Sequence, residues 1–130
     1  MFKGVHHIGM GVRDIEQATR LWTEVFGAEA EPPVTEGDVR IVMLRVGDDL
    51  VELVAPAGDT STMTKFLEKR GEGIHHVCFE VADIYSAIET LSARGMQLID
   101  NEPREGAGGK IAFLHPKSTH GVLTEIVQVR

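Results

Sequence analysis

Gly73-Ile74-His75-His76-Val77-Cys78-Phe79-Glu80-Val81 has a near-copy at the start of the chain, Gly4-Val5-His6-His7-Ile8-Gly9-Met10-Gly11-Val12, so the sequence contains an internal repeat. Side chains of an extended strand alternate between two faces. Val77, Phe79 and Val81 therefore share one face with His75, and His76 lies on the other with Ile74, Cys78 and Glu80. In the first copy Ile8, Met10 and Val12 oppose His7, Gly9 and Gly11. The apolar face calls for a helix against it, and the histidine face, with its small neighbours, reads as the floor of a cleft. Two such strands bring two imidazoles to one cavity.

The repeat extends beyond the strands. At an offset of 69 residues His6, His7, Asp14, Ile15 and Ala18 fall on His75, His76, Asp83, Ile84 and Ala87. Asp14 followed by Gln17 forms a capping box. Ile15, Ala18, Trp22 and Phe26 then recur at helical spacing as a core stripe, and Gly27 stops the helix. The second copy has Ile84, Ala87, Ile88 and Leu91 on one side and a stop at Gly95.

Each helix is followed by strands. Apolar runs at 39–46 and 50–54 flank a Gly47-Asp48-Asp49 hairpin turn, and runs at 111–114 and 122–129 flank the turn from His115 to Gly121. Residues 28–31 and 97–99 count as short strands, Glu31-Pro32-Pro33 as a turn, and 100–110 as a polar, glycine-rich loop. The expected organisation is one domain over residues 1–130. A βαβββ module at 1–56 and another at 73–130 are joined by a 57–72 linker, whose short helix at 62–70 is capped by Ser61 and ended by Gly71. Modules with helices on one face each bury those faces and join their sheets side by side. The fold class predicted is α+β, with a curved, mostly antiparallel eight-stranded sheet and an open metal-binding groove.

Composition bounds the function. The chain is 42% hydrophobic and 25% charged, an ordinary globular balance, and no apolar run approaches the roughly 20 residues that cross a bilayer. Nothing at the start reads as an export leader, and the single cysteine, Cys78, excludes an intrachain disulfide. A cytoplasmic protein without a membrane partner is expected. A net charge of −7 with no basic run argues against nucleic acid.

One carboxylate accompanies each histidine copy. Glu52 interrupts Leu50-Val51-Glu52-Leu53-Val54, 45 residues after His7, and Glu125 interrupts Val122-Leu123-Thr124-Glu125-Ile126-Val127, 49 residues after His76. A carboxylate inside an apolar strand is costly unless paired or bound to a cation. Singly, a strand histidine reads as a hydrogen-bonded wall residue and Glu52 as an outward charge on an edge strand. Repetition of the whole pair favours a four-ligand site with room for exogenous ligands. Imidazole and carboxylate donors without thiolate suit Co²⁺, Mn²⁺, Ni²⁺, Fe²⁺ or Zn²⁺ alike. His6 and His75 are assigned to packing, and Cys78 to the core as a small hydrophobe.

Val5-His6-His7-Ile8-Gly9, Glu52-Leu53-Val54-Ala55-Pro56, Gly73-Ile74-His75-His76-Val77, Phe113-Leu114-His115-Pro116-Lys117 and Gly121-Val122-Leu123-Thr124-Glu125 together give the chain a specific likeness. It resembles the vicinal oxygen chelate superfamily, which includes glyoxalase I, and within it the methylmalonyl-CoA epimerases. The resemblance implies one divalent metal, often cobalt, held by His7, Glu52, His76 and Glu125. It also implies a homodimer acting on an acyl-CoA substrate, the two C2 epimers of methylmalonyl-CoA. Some members carry glutamine at the position of Glu52, and others a further glutamate in the strand that here reads Val39-Arg40-Ile41-Val42, which this chain lacks.

Epimerisation removes a proton α to a thioester and returns one from the opposite side, so two acid/base groups must flank the carbon. Glu125 and Glu52 are the pair that the pseudosymmetry offers. For the CoA tail the candidates are Lys110, in Gly106-Ala107-Gly108-Gly109-Lys110, and Lys117. A glyoxalase I-like isomerase uses the same ligand types and ranks second on the His115-Pro116-Lys117 turn. A non-catalytic binding module would not need the ligands, and a ring-cleaving oxygenase uses only one carboxylate.

Overall fold

The computed structural model describes residues 1–130, which form two compact units, one of His7–His75 and one of Met1–His6 together with His76–Arg130. The boundaries fall inside the two histidine doublets. Strands β1 (Phe2–Gly11) and β6 (Gly73–Val81) therefore each contribute to both units.

In the unit of residues 7–75, β4 (Val39–Val46) and β5 (Asp49–Pro56) form the expected hairpin, tightened to a two-residue turn at Gly47-Asp48. The strand order is β2-β4-β5-β1, where β2 is Glu29–Ala30. An unforeseen β3 (Val34–Glu36) also pairs with β4, because the backbone extends directly after Pro32-Pro33. Helix α1 (Ile15–Arg20) starts where Asp14 Oδ1 accepts the Gln17 N–H at 3.0 Å. Its apolar side covers Val42, Leu44, Val51, Leu53 and Ala55, with Met10, Val12 and Trp22 at the margin.

Two expectations for this unit change. Residues Leu21–Val25 form a wide π turn instead of continuing the α-helix. The i→i+5 spacing rotates the following residue off the apolar stripe, so Phe26 is 57% exposed and meets Trp22 edge-on at 5.0 Å rather than joining the core. The second change concerns α2 (Thr62–Arg70), capped by Ser61 and closed by Gly71 as predicted. It packs on the face of β1 that His7, Gly9 and Gly11 share, since a Cβ at Gly11 would lie 2.9 Å from both Met63 Cε and Phe66 Cε1. Helices thus occupy both faces of this unit's sheet. His75 packs against α2, its ring edge-on to Phe66 at 4.8 Å.

In the other unit the order is β6-β9-β8-β7, with β7 at Arg104–Glu105, β8 at Gly109–Leu114 and β9 at Thr124–Val129. The strand expected at 97–99 is a single bridge, Leu98 to Leu114, and β7 occupies part of the expected loop. Helix α3 (Ile84–Ala93) begins at Asp83, whose Oδ1 accepts the N–H groups of Tyr85 and Ser86. Gln128 Oε1 accepts the Ile84 N–H at 2.9 Å and ties the helix start to β9. Ile84, Ala87, Ile88 and Leu91 pack on Val81, Ala112, Leu114 and Ile126. At the N-terminus Phe2 stacks on Phe79, centroids 4.7 Å apart, and Lys3 Nζ lies 3.1 Å from Glu80.

The glycine-rich stretch is the turn of the β7–β8 hairpin. Gly106 N–H donates to Gly109 O at 2.7 Å, and the Arg130 guanidinium binds the carbonyls of Gly106 and Ala107. Gly109 has φ +153°, and a Cβ there would stand 2.1 Å from Gln128 O, inside the backbone of β9. Gly109→Ala is expected to destabilise the protein by about 2–3 kcal/mol, read as a lowered urea midpoint. Gly108→Ala, with nothing within 4 Å of its Cβ position, serves as the tolerated control.

Candidate metal centre

Parallel pairing brings each histidine to its carboxylate by the same register. In one unit Ile8 faces Val51, Gly9 faces Glu52 and Met10 faces Leu53. Val51 and Leu53 turn into the α1 core, so strand alternation sends Glu52 to the opposite face. Gly9 offers no side chain there. His7, two residues back on the same face, sets its Nε2 3.5 Å from Glu52 Oε2.

In the other unit Cys78 faces Glu125 between the pairs Val77 with Thr124 and Phe79 with Ile126. Cys78 corresponds in the repeat to Gly9, and His76 again stands two residues back, with its Nε2 3.2 Å from Glu125 Oε1. The antiparallel neighbours complete each carboxylate's surroundings: Met43 lies opposite Glu52, and Phe113 opposite Glu125. Phe113 presents its ring to His76 at 5.8 Å, edge against face. The unequal spacing along the chain is absorbed mainly between these facing strands, because the turn after Phe113 includes the 3₁₀ segment Pro116–Ser118 where the first half has a tight hairpin.

All four side chains are buried: His7 is 5% exposed, Glu52 8%, His76 3% and Glu125 5%. Groups of this kind are retained in an apolar interior only when paired or bound to a cation. The nitrogen–oxygen separations lie at or past the outer edge of a good N–H···O hydrogen bond. They are close to the spacing of neighbouring donors around a cation with bonds of about 2.1 Å, which is roughly 3.0–3.4 Å for octahedral to tetrahedral arrangements. Each pair is therefore able to supply one imidazole and one carboxylate oxygen to a divalent ion.

Neither lysine is among these buried side chains. Lys110 is on β8 with the parity of Ala112 and Leu114, on the face that α3 covers and away from Ile111 and Phe113. Its Nζ donates to Tyr85 Oη at 3.1 Å, and this bond holds the ammonium above its ordinary pKa. The hairpin register, not the loop, decides the direction of this candidate for the CoA tail. Lys117 is exposed on the 3₁₀ turn, whose start is capped by His115 Nδ1 accepting the Lys117 N–H at 3.0 Å. Thr119 Oγ1 donates to Val122 O inside the same turn. Cys78 is fully buried with Ile111 and Val127, as a small hydrophobe.

Sequence reasoning missed Phe113 and Asp100. Asp100 Oδ2 accepts the Phe113 N–H at 2.8 Å, while its Oδ1 meets Arg104 Nε at 3.2 Å. The strand parity of Phe113 with respect to Glu125 would have been readable only with the hairpin register known.

Residues 6–113 match the profile of a family described as the glyoxalase/bleomycin resistance protein/dioxygenase superfamily. The chain is 39% identical over 126 residues to the mitochondrial methylmalonyl-CoA epimerase of Dictyostelium discoideum, covering 94% of this chain and 76% of that one. It is 37% identical over 134 residues to the ethylmalonyl-CoA/methylmalonyl-CoA epimerase of Cereibacter sphaeroides, covering 99% and 100% of the two chains. A solved methylmalonyl-CoA epimerase in complex with methylmalonyl-CoA and NH₄⁺ superimposes with a TM-score of 0.94 at 32% identity, covering 99% of this chain and 96% of that one.

Replacing Tyr85 by Phe removes the oxygen that accepts from Lys110. The Lys110 ammonium is expected to titrate at lower pH in Tyr85→Phe than in the wild type, as followed by NMR of the lysine side chain. An unchanged titration would separate the shift from that hydrogen bond.

Proposed function

Because this chain belongs to the glyoxalase/bleomycin resistance protein/dioxygenase superfamily and, within it, to the methylmalonyl-CoA epimerases, we propose that it is an epimerase interconverting (R)- and (S)-methylmalonyl-CoA. The observation that carries the reading is the twinned pair, His7 with Glu52 and His76 with Glu125, each buried and each built by the same strand register.

We assign all four side chains to one divalent metal ion, Co²⁺ in the first instance. The donor set fits Mn²⁺, Ni²⁺ and Zn²⁺ as well. When bound, such an ion supplies Lewis-acid stabilisation of the oxyanion that develops on the thioester oxygen. The carboxylates move the proton. Glu125 accepts it from C2 of one epimer, and Glu52, its counterpart in the repeat, returns one to the opposite face. Cys78 and Phe113 lie opposite Glu125 on the two neighbouring strands, which places this carboxylate among apolar side chains. Lys117 is assigned to the phosphate-bearing tail. The working form proposed is a homodimer in the cytoplasm; no helix is long and apolar enough to cross a membrane.

Cobalt-loaded protein given one methylmalonyl-CoA epimer in deuterated water is expected to exchange the C2 proton and yield both epimers. A glutathione hemithioacetal should remain unconverted; conversion of it alone would make the chain a glyoxalase I-like isomerase. Glu125→Gln is expected to lower C2 exchange by about 10²- to 10⁴-fold, and retained exchange would refute its role as base. His76→Ala should lose stoichiometric metal and the thermal stabilisation that added Co²⁺ gives the wild type, about 2.7 kcal/mol at a hundredfold excess over Kd. Unchanged metal content in that variant would remove His76 from the ligand set.

A further inference from the structure

We propose that Arg104 binds an oxyanion of the acyl-CoA substrate beside His76 and Glu125, an inference that rests on the epimerase reading. Arg104 lies opposite Ile111 in the β7–β8 ladder, and directly opposed residues share a face. That face carries Ile111, Phe113 and Glu125, since Phe113 faces Glu125 on the next strand. The Arg104 Cζ sits 5.6 Å from the centre of the Phe113 ring, which also meets the His76 ring at 5.8 Å. Guanidinium, phenyl ring and imidazole thus form a row that leads to the His76/Glu125 pair.

The guanidinium is held rather than loose. Asp100 anchors two points at once, Arg104 Nε at 3.2 Å and the backbone N–H of Phe113 at 2.8 Å. Asp100 thereby ties the guanidinium to the strand that faces Glu125. Its side chain is nevertheless 51% exposed, within reach of a solute.

The chemistry asks for such a group. A malonyl thioester carries one carboxylate, and its CoA portion carries phosphates. It must approach a chain of net charge −7 and a site with buried carboxylates. Three other cations of this unit are engaged away from that row, Lys3 with Glu80, Lys110 with Tyr85, and Arg130 with the carbonyls of the β7–β8 turn, while Lys117 is the one assigned above to the phosphate-bearing tail. A planar guanidinium reads a carboxylate or a phosphate with two parallel hydrogen bonds, which a lysine at the same place does not reproduce.

The test compares wild type, Arg104→Met and Arg104→Lys, all cobalt-loaded, on methylmalonyl-CoA and on the phosphate-free methylmalonyl thioester of N-acetylcysteamine. Calorimetric binding of malonyl-CoA gives a readout independent of turnover. Arg104→Met keeps the apolar stem over Phe113 and is expected to raise KM for methylmalonyl-CoA about tenfold or more, with kcat little changed and malonyl-CoA affinity reduced in parallel. Arg104→Lys should fall between. A loss that persists with the truncated thioester identifies the malonyl carboxylate as the oxyanion bound, and a loss seen only with the CoA ester identifies the tail phosphates. If KM and malonyl-CoA affinity in Arg104→Met stay within twofold of wild type, the proposal is overturned. Should that variant not fold, unchanged binding in Arg104→Lys overturns it equally, and weakened binding supports it. A wild type that exchanges the C2 proton while both variants match it refutes Arg104 alone, whereas a wild type without exchange refutes the epimerase reading and takes this inference with it.

Discussion

Parallel pairing of β1 with β5, and of β6 with β9, is the constraint on which the rest of the molecule depends. In both ladders a glutamate faces a small residue, Gly9 or Cys78, and the histidine two positions earlier on the same face reaches it. A slip of one residue would exchange the faces. Glu52 and Glu125 would then enter the helix-packed cores, and Leu53 and Ile126 would take their places. Register here is enforced by the apolar residues on the other face, because Leu53 and Ile126 are each fully buried against a helix.

The helices serve this register. α1 and α3 start at aspartates that satisfy the first free N–H groups, and their apolar sides hold the strands from one face only. The other face is thereby left for polar chemistry. In the 7–75 unit that face is not wholly open, because α2 lies over its Gly11 end. Glycine at position 11 is required by the closeness of Met63 and Phe66, a different reason from that at Gly9, where absence of a side chain clears space beside Glu52.

The second unit adds features that the first lacks. Phe113 stands where Met43 stands in the other half, and brings with it Asp100 and Arg104. The twofold character of the donor set is thus not carried into its surroundings. One half supplies an aromatic wall and a guanidinium; the other supplies a glycine and a covering helix.

The doubled His-His strand, the two capping aspartates and the lone glutamates in apolar runs were legible in the linear order of residues, because strand alternation and helical spacing are local properties. They were sufficient for the strand–helix–strand repeat, for one histidine and one glutamate in each half, and for the linker helix with its Ser61 cap, but not for the short strands at 34–36 and 104–105. What depends on distant partners was not legible. The face on which Lys110 lies and the contacts of Arg104 and His76 with Phe113 are set by how strands pair along the sheet, the contact of α2 with Gly11 by packing between distant segments, and the π turn that exposes Phe26 by a change of helical spacing that the apolar stripe does not reveal. Local propensity carries no record of that register; only burial of the assembled faces selects it.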